Sequence, residues 1–135
     1  MTTIHTGSCL CGAVKFEMEG EFKKFFLCHC SRCRKISGSA HCANLFAPGA
    51  KLRWLNGKDK LRFYRLEGAN FARQFCSICS STMPLYVESR DLVVMPAGCL
   101  DNDIDLKPQA HIFIDSKGNW DDILNDTHTF EKLPM

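Results

Sequence analysis

The sequence predicts a mainly β fold, in the form of a compact single domain of several small antiparallel sheets. Two observations lead to this class: short segments with strand composition recur along the chain, and turn-forming residues separate them. A third observation is that helical periodicity is nearly absent. Many short strands joined by turns are typical of antiparallel sheets.

The clearest strand is expected at residues 13–19, where Val14, Phe16 and Met18 alternate with polar and charged side chains. This alternation places the apolar residues on one face, as in a half-buried strand. Turns are expected at Asn56-Gly57 and at residues 116–119. Further strands are expected at residues 25–28, 39–46, 61–66, 71–75, 83–87, 92–95 and 111–114.

Two short helical segments are predicted, at residues 31–36 and 120–124. Asn119 is a candidate N-cap for the second segment. Asp121 and Asp122 follow it, and their charges favour the N-terminal end of a helix. Neither segment is long enough to carry the core.

The chain has 135 residues and a net charge of +2. We expect residues 1–135 to form one domain, and the charge is too small to indicate a nucleic-acid or anionic-membrane partner. The N-terminus has no apolar stretch, and the longest nearly apolar run, residues 92–100, is interrupted by Pro96 and Gly98. We therefore expect no signal peptide, no membrane-spanning helix and a cytoplasmic, reducing location.

Seven of the nine cysteines fall into three close clusters. In a reducing compartment such clusters indicate metal binding or catalysis rather than disulfides. Both spacings suit tetrahedral zinc, Cys-x-Cys on extended backbone and Cys-x-x-Cys on a tight turn. The clusters are Cys9-x-Cys11, Cys28-x-Cys30-x-x-Cys33 and Cys76-x-x-Cys79.

The clusters divide into a group of four and a group of three. Pairing the first cluster with the last gives a closed zinc site, which we interpret as structural. The middle cluster supplies three ligands and leaves one coordination position for function. The four-ligand set is Cys9, Cys11, Cys76 and Cys79, and the three-ligand set is Cys28, Cys30 and Cys33.

Other interpretations stay open at this point. The middle cluster could complete an inert site by recruiting Cys42, Cys99, His41 or His111. Cys42 and Cys99 also suit small core positions. On extended backbone His29 would point away from its flanking cysteines, and it would be a neighbour of the site or exposed. A redox dithiol is disfavoured because neither Cys-x-x-Cys has the expected context, the start of a helix in a βαβ unit.

Four motifs together resemble the glutathione-dependent formaldehyde-activating enzyme family over about residues 7–124. They lie at residues 7–14, 28–35, 75–79 and 111–120. The resemblance implies several small β-sheets, a structural zinc at the four-ligand set and a catalytic zinc at the three-ligand set. It also implies a carbon–sulfur lyase that joins glutathione to formaldehyde, giving S-hydroxymethylglutathione. Ser80 stands where the family usually has glycine, and the chain is shorter than the named enzyme.

A site with three thiolates on zinc carries net negative charge and favours a thiol over water as the fourth ligand. We therefore expect a small thiol such as glutathione as the partner. The basic residues Arg32, Arg34 and Lys35 could bind its carboxylates, and His111 could exchange a proton. Lys23, Lys24 and Arg73 are weaker candidates. The competing hypothesis is a non-enzymatic zinc module that binds protein or nucleic acid, although the sequence shows neither a basic stripe nor an evident aromatic surface.

Overall fold

The computed structural model describes residues 3–134, and in this part of the chain eleven strands, one α-helix and five 3₁₀ segments are present. The helix is α1 (Ser31–Ser37). The 3₁₀ segments are Lys58–Lys60, Glu88–Arg90, Ala97–Cys99, Ile114–Ser116 and Asp121–Asp126. The strands are β1 (Ile4–Ser8), β2 (Lys15–Glu19), β3 (Lys24–Cys28), β4 (Cys42–Pro48), β5 (Lys51–Asn56), β6 (Leu61–Arg65), β7 (Ala72–Cys76), β8 (Thr82–Met83), β9 (Leu85–Val87), β10 (Leu92–Pro96) and β11 (Ala110–Ile112).

The strands form three sheets. The first has the order β1-β2-β5, the second β11-β3-β4-β10-β9 and the third β6-β7-β8. Every strand pair is antiparallel except β11 with β3, which is parallel. The prediction of a mainly β fold with several small antiparallel sheets is confirmed.

Strands β1 and β5 were not expected from the sequence. The inward positions of β1 are His5 and Gly7, which give no apolar alternation. Gly7 lies opposite Phe16 in β2, and a Cβ at Gly7 would overlap the Phe16 ring. In β5 the half-buried Leu52 and Trp54 do alternate with exposed neighbours, but the exposed Leu55 interrupts the apolar alternation.

Three expected strands have clearly different bounds in the structure. The segment expected at 111–114 is a strand only over Ala110–Ile112, and a 3₁₀ segment begins at Ile114. The segment expected at 39–46 begins only at Cys42, because α1 ends at Gly38 and a short connection follows. The segment expected at 83–87 is divided at Pro84 into β8 and β9, since proline has no N–H to donate to a ladder. The turn expected at Asn56-Gly57 is confirmed, with Gly57 at φ 77°.

The second sheet separates a core face from an outer face. The core face carries Phe25, Leu45, Ala47, Val93 and Met95, all buried against residues of the other two sheets. Full burial of a side chain of this size stabilises the fold by about 1.5–3 kcal/mol. The alternate residues of β3, β4 and β10 point the other way and form the outer face.

Helix α1 lies between β3 and β4, close to its predicted position. Cys30 is its N-cap, with Sγ accepting from the backbone N–H of Cys33 at 3.3 Å. The helix ends at Gly38, which has φ 64° and donates its N–H to the carbonyl of Arg34. The second predicted segment is a 3₁₀ helix over Asp121–Asp126. No helix within residues 3–134 has both the length and the hydropathy needed to cross a bilayer.

Candidate metal centres and active site

Four thiols from two distant segments of the sequence come together at the first centre, here called the four-thiol cluster. The sulfurs of Cys9, Cys11, Cys76 and Cys79 all lie within 4.8 Å of one another. The Cys9 and Cys11 sulfurs are 3.6 Å apart, and those of Cys11 and Cys76 are 3.9 Å apart. Cys9 and Cys11 lie in the β1–β2 connection, Cys76 ends β7 and Cys79 follows it, so the cluster joins the first sheet to the third.

The Cys9–Cys11 segment is a turn, and the expectation of extended backbone there is wrong. Gly12 has φ 79° and donates its N–H to the Cys9 carbonyl at 3.0 Å, which closes the turn. The Val14 N–H points at the Cys9 sulfur at 3.2 Å. A positive φ at Gly12 therefore brings the two sulfurs together in place of the side-chain alternation of a strand.

The Cys76–Cys79 segment is the tight turn that its spacing predicts. The Ile78 N–H donates to the Cys76 sulfur at 3.4 Å, and the Ser80 N–H donates to the Cys76 carbonyl at 2.8 Å. Ser80 has φ 63°, the left-handed region that favours glycine. Backbone N–H groups thus point at the sulfurs of both segments, which suits sulfur in its thiolate form.

The four thiols fit a soft divalent cation such as zinc. The Ser81 hydroxyl, followed by the backbone N–H groups of Cys11 and Ser81, lowers the pKa of Cys79 to about 5. The backbone hydrogen bond with Ala13 acts to lower the pKa of Cys11, but burial and the other three sulfurs raise it to about 11. Like charges this close oppose one another's ionisation, and a bound cation removes that penalty.

Three thiols form the second centre, here called the three-thiol cluster. The sulfurs of Cys28, Cys30 and Cys33 lie within 4.8 Å of one another. Cys28 ends β3, Cys30 caps α1 and Cys33 is in its first turn. No other cysteine, histidine, aspartate or glutamate in the described part of the chain lies within that distance of all three sulfurs. The donor set fits zinc with one coordination position left to a ligand from outside the chain.

The start of α1 modifies one expectation about redox chemistry. Cys30 and Cys33 do stand at the start of a helix, α1, which corresponds to the segment predicted at residues 31–36. The strands on either side, β3 and β4, are antiparallel, so the βαβ unit typical of dithiol oxidoreductases is absent there.

Cys42 lies beside the three-thiol cluster and is linked to it by Arg73. Nη2 of Arg73 is 3.3 Å from the Cys42 sulfur and 3.8 Å from that of Cys33. The contact with Cys33 lowers the pKa of Cys42 most, burial opposes it, and Arg73 lowers it further, to about 6. The guanidinium of Arg73 also lies 4.7 Å above the Phe71 ring. Arg73, which the sequence marked only as a weak candidate, is thus the cation in contact with this cluster.

Cys99 belongs to the core and not to either cluster. Its thiol donates to the Pro96 carbonyl at 3.1 Å and contacts the sulfur of Met95 at 3.7 Å. Burial raises the pKa of Cys99 to about 12. A neutral thiol in an apolar setting is a packing residue.

Histidines gather on the other side of β3 from Cys28. His29 is only 2% exposed, and its Nε2 lies 2.8 Å from Nδ1 of His111. Its Nδ1 lies 3.0 Å from Oδ2 of Asp121, at an angle that is not that of a well-aligned hydrogen bond. The His41 ring packs 5.1 Å from that of His29, and burial lowers the pKa of His41. His29 therefore points away from the cysteines, as expected, but into a buried polar group that the sequence did not reveal.

The side chains predicted to bind substrate make local contacts. Nε of Arg34 donates to the Ser116 carbonyl at 2.9 Å, Lys35 is exposed, and His111 is hydrogen-bonded to His29. None of these three lines the cavity between the second and third sheets. Their roles in substrate binding stay predictions.

A cavity of about 480 Å³ lies between the outer face of the second sheet and the third sheet. Its wall includes Phe46 of β4 and Phe71, which precedes β7. Three arginines also line it, Arg65, Arg73 and Arg90. The cysteines of the two clusters do not line it, and Arg73 is the residue that borders both the cavity and the three-thiol cluster.

Known proteins share this arrangement of sequence and fold. Residues 4–116 match the profile of the glutathione-dependent formaldehyde-activating enzyme family. A Halomonas elongata protein, named as a candidate glutathione-dependent formaldehyde-activating enzyme, is 30% identical over 124 residues, covering 87% of this chain and 79% of that protein. The crystal structure of a Rhodobacter sphaeroides protein has a TM-score of 0.59 at 24% identity, covering 78% of this chain and 98% of that one. This last likeness shows a shared fold.

The match extends over most of the chain and includes both cysteine clusters. It confirms the resemblance drawn from the four sequence motifs, and with it the prediction that the protein is an enzyme. The chain belongs to the glutathione-dependent formaldehyde-activating enzyme family.

Proposed function

We propose that the protein is a zinc-dependent carbon–sulfur lyase or synthase that joins glutathione to formaldehyde, giving S-hydroxymethylglutathione. The observation that carries the proposal is the three-thiol cluster, for which the described part of the chain offers no fourth ligand within 4.8 Å of all three sulfurs. Family membership supports the choice of substrates.

Two zinc ions per chain are part of the proposal. The four-thiol cluster would hold a structural ion, and Cys28, Cys30 and Cys33 would hold the catalytic one. A zinc ion bound by three thiolates supplies positive charge that keeps an incoming thiol deprotonated at neutral pH.

The reaction forms one carbon–sulfur bond. The sulfur of glutathione adds to the carbonyl carbon of formaldehyde, and the proton released from the thiol ends on the former carbonyl oxygen; cleavage is the reverse. Arg73 contacts the Cys33 sulfur, and its fixed charge offsets the negative charge of a thiolate-rich centre. We also propose that Arg34 and Lys35 bind carboxylates of the substrate and that His111 exchanges the proton. In the structure Arg34 donates to the Ser116 carbonyl, His111 is hydrogen-bonded to His29 and Lys35 is exposed.

A small thiol is the only partner that we propose. The free thiols at all nine cysteine positions agree with a reducing, cytoplasmic location, which stays a prediction.

The test is metal content together with turnover in two matched variants. Cys30→Ser removes a ligand of the three-thiol cluster and should leave about one zinc per chain and no adduct formation. Cys42→Ser changes a neighbouring thiol outside the ligand set and should keep two zinc ions. Zinc is measured by elemental analysis and the adduct by NMR of mixed glutathione and formaldehyde. Loss of a zinc ion in Cys42→Ser would mean that Cys42 closes the site, and the proposal would fail.

A further inference from the structure

We propose that the arginine-lined cavity is the subsite that binds the carboxylates of the thiol substrate, with Arg73 between this subsite and the three-thiol cluster. The inference rests on the proposed function, because it assigns the rest of the molecule whose sulfur reaches the cluster. It predicts that the substrate is a thiol carrying carboxylate groups rather than a small neutral thiol.

The first support is position. Paired residues of antiparallel strands point to the same face, so Cys28 and Cys42 share the outer face of the second sheet. Asn44 and Phe46 continue along the same face of β4 and line the cavity. The cluster and the cavity therefore lie on one continuous surface, with Cys28 at one end.

The second support is charge. The cavity is lined by three arginines, and no aspartate or glutamate lines it in the described part of the chain. Arg90 is exposed and forms no ion pair or hydrogen bond within residues 3–134. The guanidinium of Arg65, at the end of β6, is held by the Ala69 carbonyl at 3.3 Å and by Oδ1 of Asn70 at 3.2 Å, both in the loop that follows. The nearby carboxylate of Asp91 accepts from the Tyr86 hydroxyl at 2.9 Å.

The third support is chemistry. Arginine binds carboxylates through two parallel hydrogen bonds, and a ligand with two separated carboxylates can use two arginines at once. Aromatic side chains of the wall, such as Phe46 and Phe71, supply apolar contact for the connecting atoms. A volume of about 480 Å³ is in the usual range for a site that binds a small molecule.

The fourth support is the link to the reacting centre. Arg73 reaches the sulfurs of Cys33 and Cys42 with one nitrogen and lines the cavity with the same side chain. Its Nη1 donates to the Ala72 carbonyl at 3.1 Å, and the Phe71 ring packs beneath it, so its position is fixed from two sides. Arg73 therefore contacts the cluster and also borders the cavity.

The experiment measures binding of S-methylglutathione, which keeps both carboxylates but has no free thiol, to the zinc-loaded full chain by titration calorimetry. Arg90→Gln and Arg65→Gln should each raise the Kd by about tenfold, and added salt should weaken binding to the unchanged protein. Arg62→Gln is the matched control, because Arg62 is on β6 with Arg65, bonds its own strand and does not line the cavity. It should leave the Kd unchanged.

A second measurement follows turnover, which takes place at the three-thiol cluster. Turnover is compared for glutathione and for 2-mercaptoethanol, which has no carboxylate. Arg90→Gln should raise the KM for glutathione about tenfold with little change in kcat, and should leave 2-mercaptoethanol unaffected. A merely structural effect of the substitution would change both thiols alike.

The outcomes separate this inference from the proposed function. If adduct forms but the arginine variants change neither the Kd nor the KM for glutathione, the cavity assignment is overturned while the function stands. If S-methylglutathione binds in an arginine-dependent way but no adduct forms, the cavity assignment stands and the proposed reaction is overturned.

Discussion

The four-thiol cluster and the three-thiol cluster use the same ligand atom in different surroundings. Exposure does not distinguish them, because each combines buried and more accessible cysteines and the four-thiol cluster contains the most exposed one, Cys11. They differ in the number of sulfurs and in their neighbours. Backbone N–H groups point at sulfurs in both clusters, but the first also contacts the Ser81 hydroxyl, whereas the second borders Arg73 and, through it, a cavity.

This difference indicates how one kind of side chain can serve two purposes. Four thiols that close a tetrahedron would join two sheets and would leave a bound metal no free coordination position. A centre with three ligands beside a cation and a cavity can accept a further ligand, and it connects to a surface that could bind the rest of that ligand.

The largest expected contrast is in folding. Cys76 is fully buried and belongs to the cluster that joins the first and third sheets, so Cys76→Ser should leave the chain largely unfolded. A structural zinc site contributes on the order of ten kcal/mol to folding, which is comparable to the whole stability of a small domain. Cys30→Ser should remain folded in near-ultraviolet circular dichroism. If the two variants unfold alike, both clusters are structural and the distinction between them is lost.

Metal removal should separate the clusters next. A chelator should take the ion from the three-thiol cluster first, because that site has fewer protein ligands, and the fold should persist until the second ion leaves. Native mass spectrometry follows the zinc count while circular dichroism follows the fold. Simultaneous loss of both ions and of structure would contradict this order.

A smaller effect is expected beside the three-thiol cluster, at the carboxylate near His29. The side chain of Asp121 is 9% exposed and lies 3.0 Å from the buried imidazole, so Asp121→Asn should lower the free energy of unfolding by about 1–2 kcal/mol. The control is Asp122→Asn, since Asp122 is 62% exposed and pairs with Lys117 at the surface. The control should change stability by less than about 0.5 kcal/mol in urea denaturation. Equal effects in the two variants would show that the buried contact between Asp121 and His29 adds nothing to the free energy of unfolding.

The smallest effect is expected beside the four-thiol cluster. Ser80 has φ 63° in the turn that holds Cys76 and Cys79, so Ser80→Gly should relieve backbone strain. The free energy of unfolding of the zinc-loaded protein should rise by up to about 1 kcal/mol. The conformational entropy that glycine loses on folding reduces this gain. Ser77→Gly in the same turn, where φ is negative, should be neutral or destabilising. A loss of stability in Ser80→Gly would show that the Ser80 side chain stabilises the turn by more than the strain it costs.

Local sequence spacing was sufficient to predict the three short cysteine motifs, whose sulfurs meet through tight turns. The pairing of the first motif with the last came from counting four ligands, because Cys11 and Cys76 are 65 residues apart. Local sequence patterns also predicted most strands and the position of α1. Strand β1 was missed because its buried positions are His5 and Gly7, whose burial depends on the strand packed against them.

The neighbours of the three-thiol cluster could not be predicted in this way. Arg73 reaches Cys33 from a separate sheet, and Asp121 reaches His29 from near the end of the chain. No local pattern encodes these contacts, since they depend on how the sheets pack. For the same reason the sequence drew attention to Arg34 and Lys35, which are near the cysteines in sequence, and placed less weight on Arg73.

The most direct test of an open position at the three-thiol cluster is the absorption spectrum of the cobalt-substituted protein during a glutathione titration. Cobalt reports its ligands through visible bands, so binding of a further sulfur should change the bands of one of two sites. We expect a saturable change that is absent in Cys30→Ser and absent when oxidised glutathione is added. A spectrum that glutathione leaves unchanged, with two cobalt ions bound per chain, would contradict the central claim.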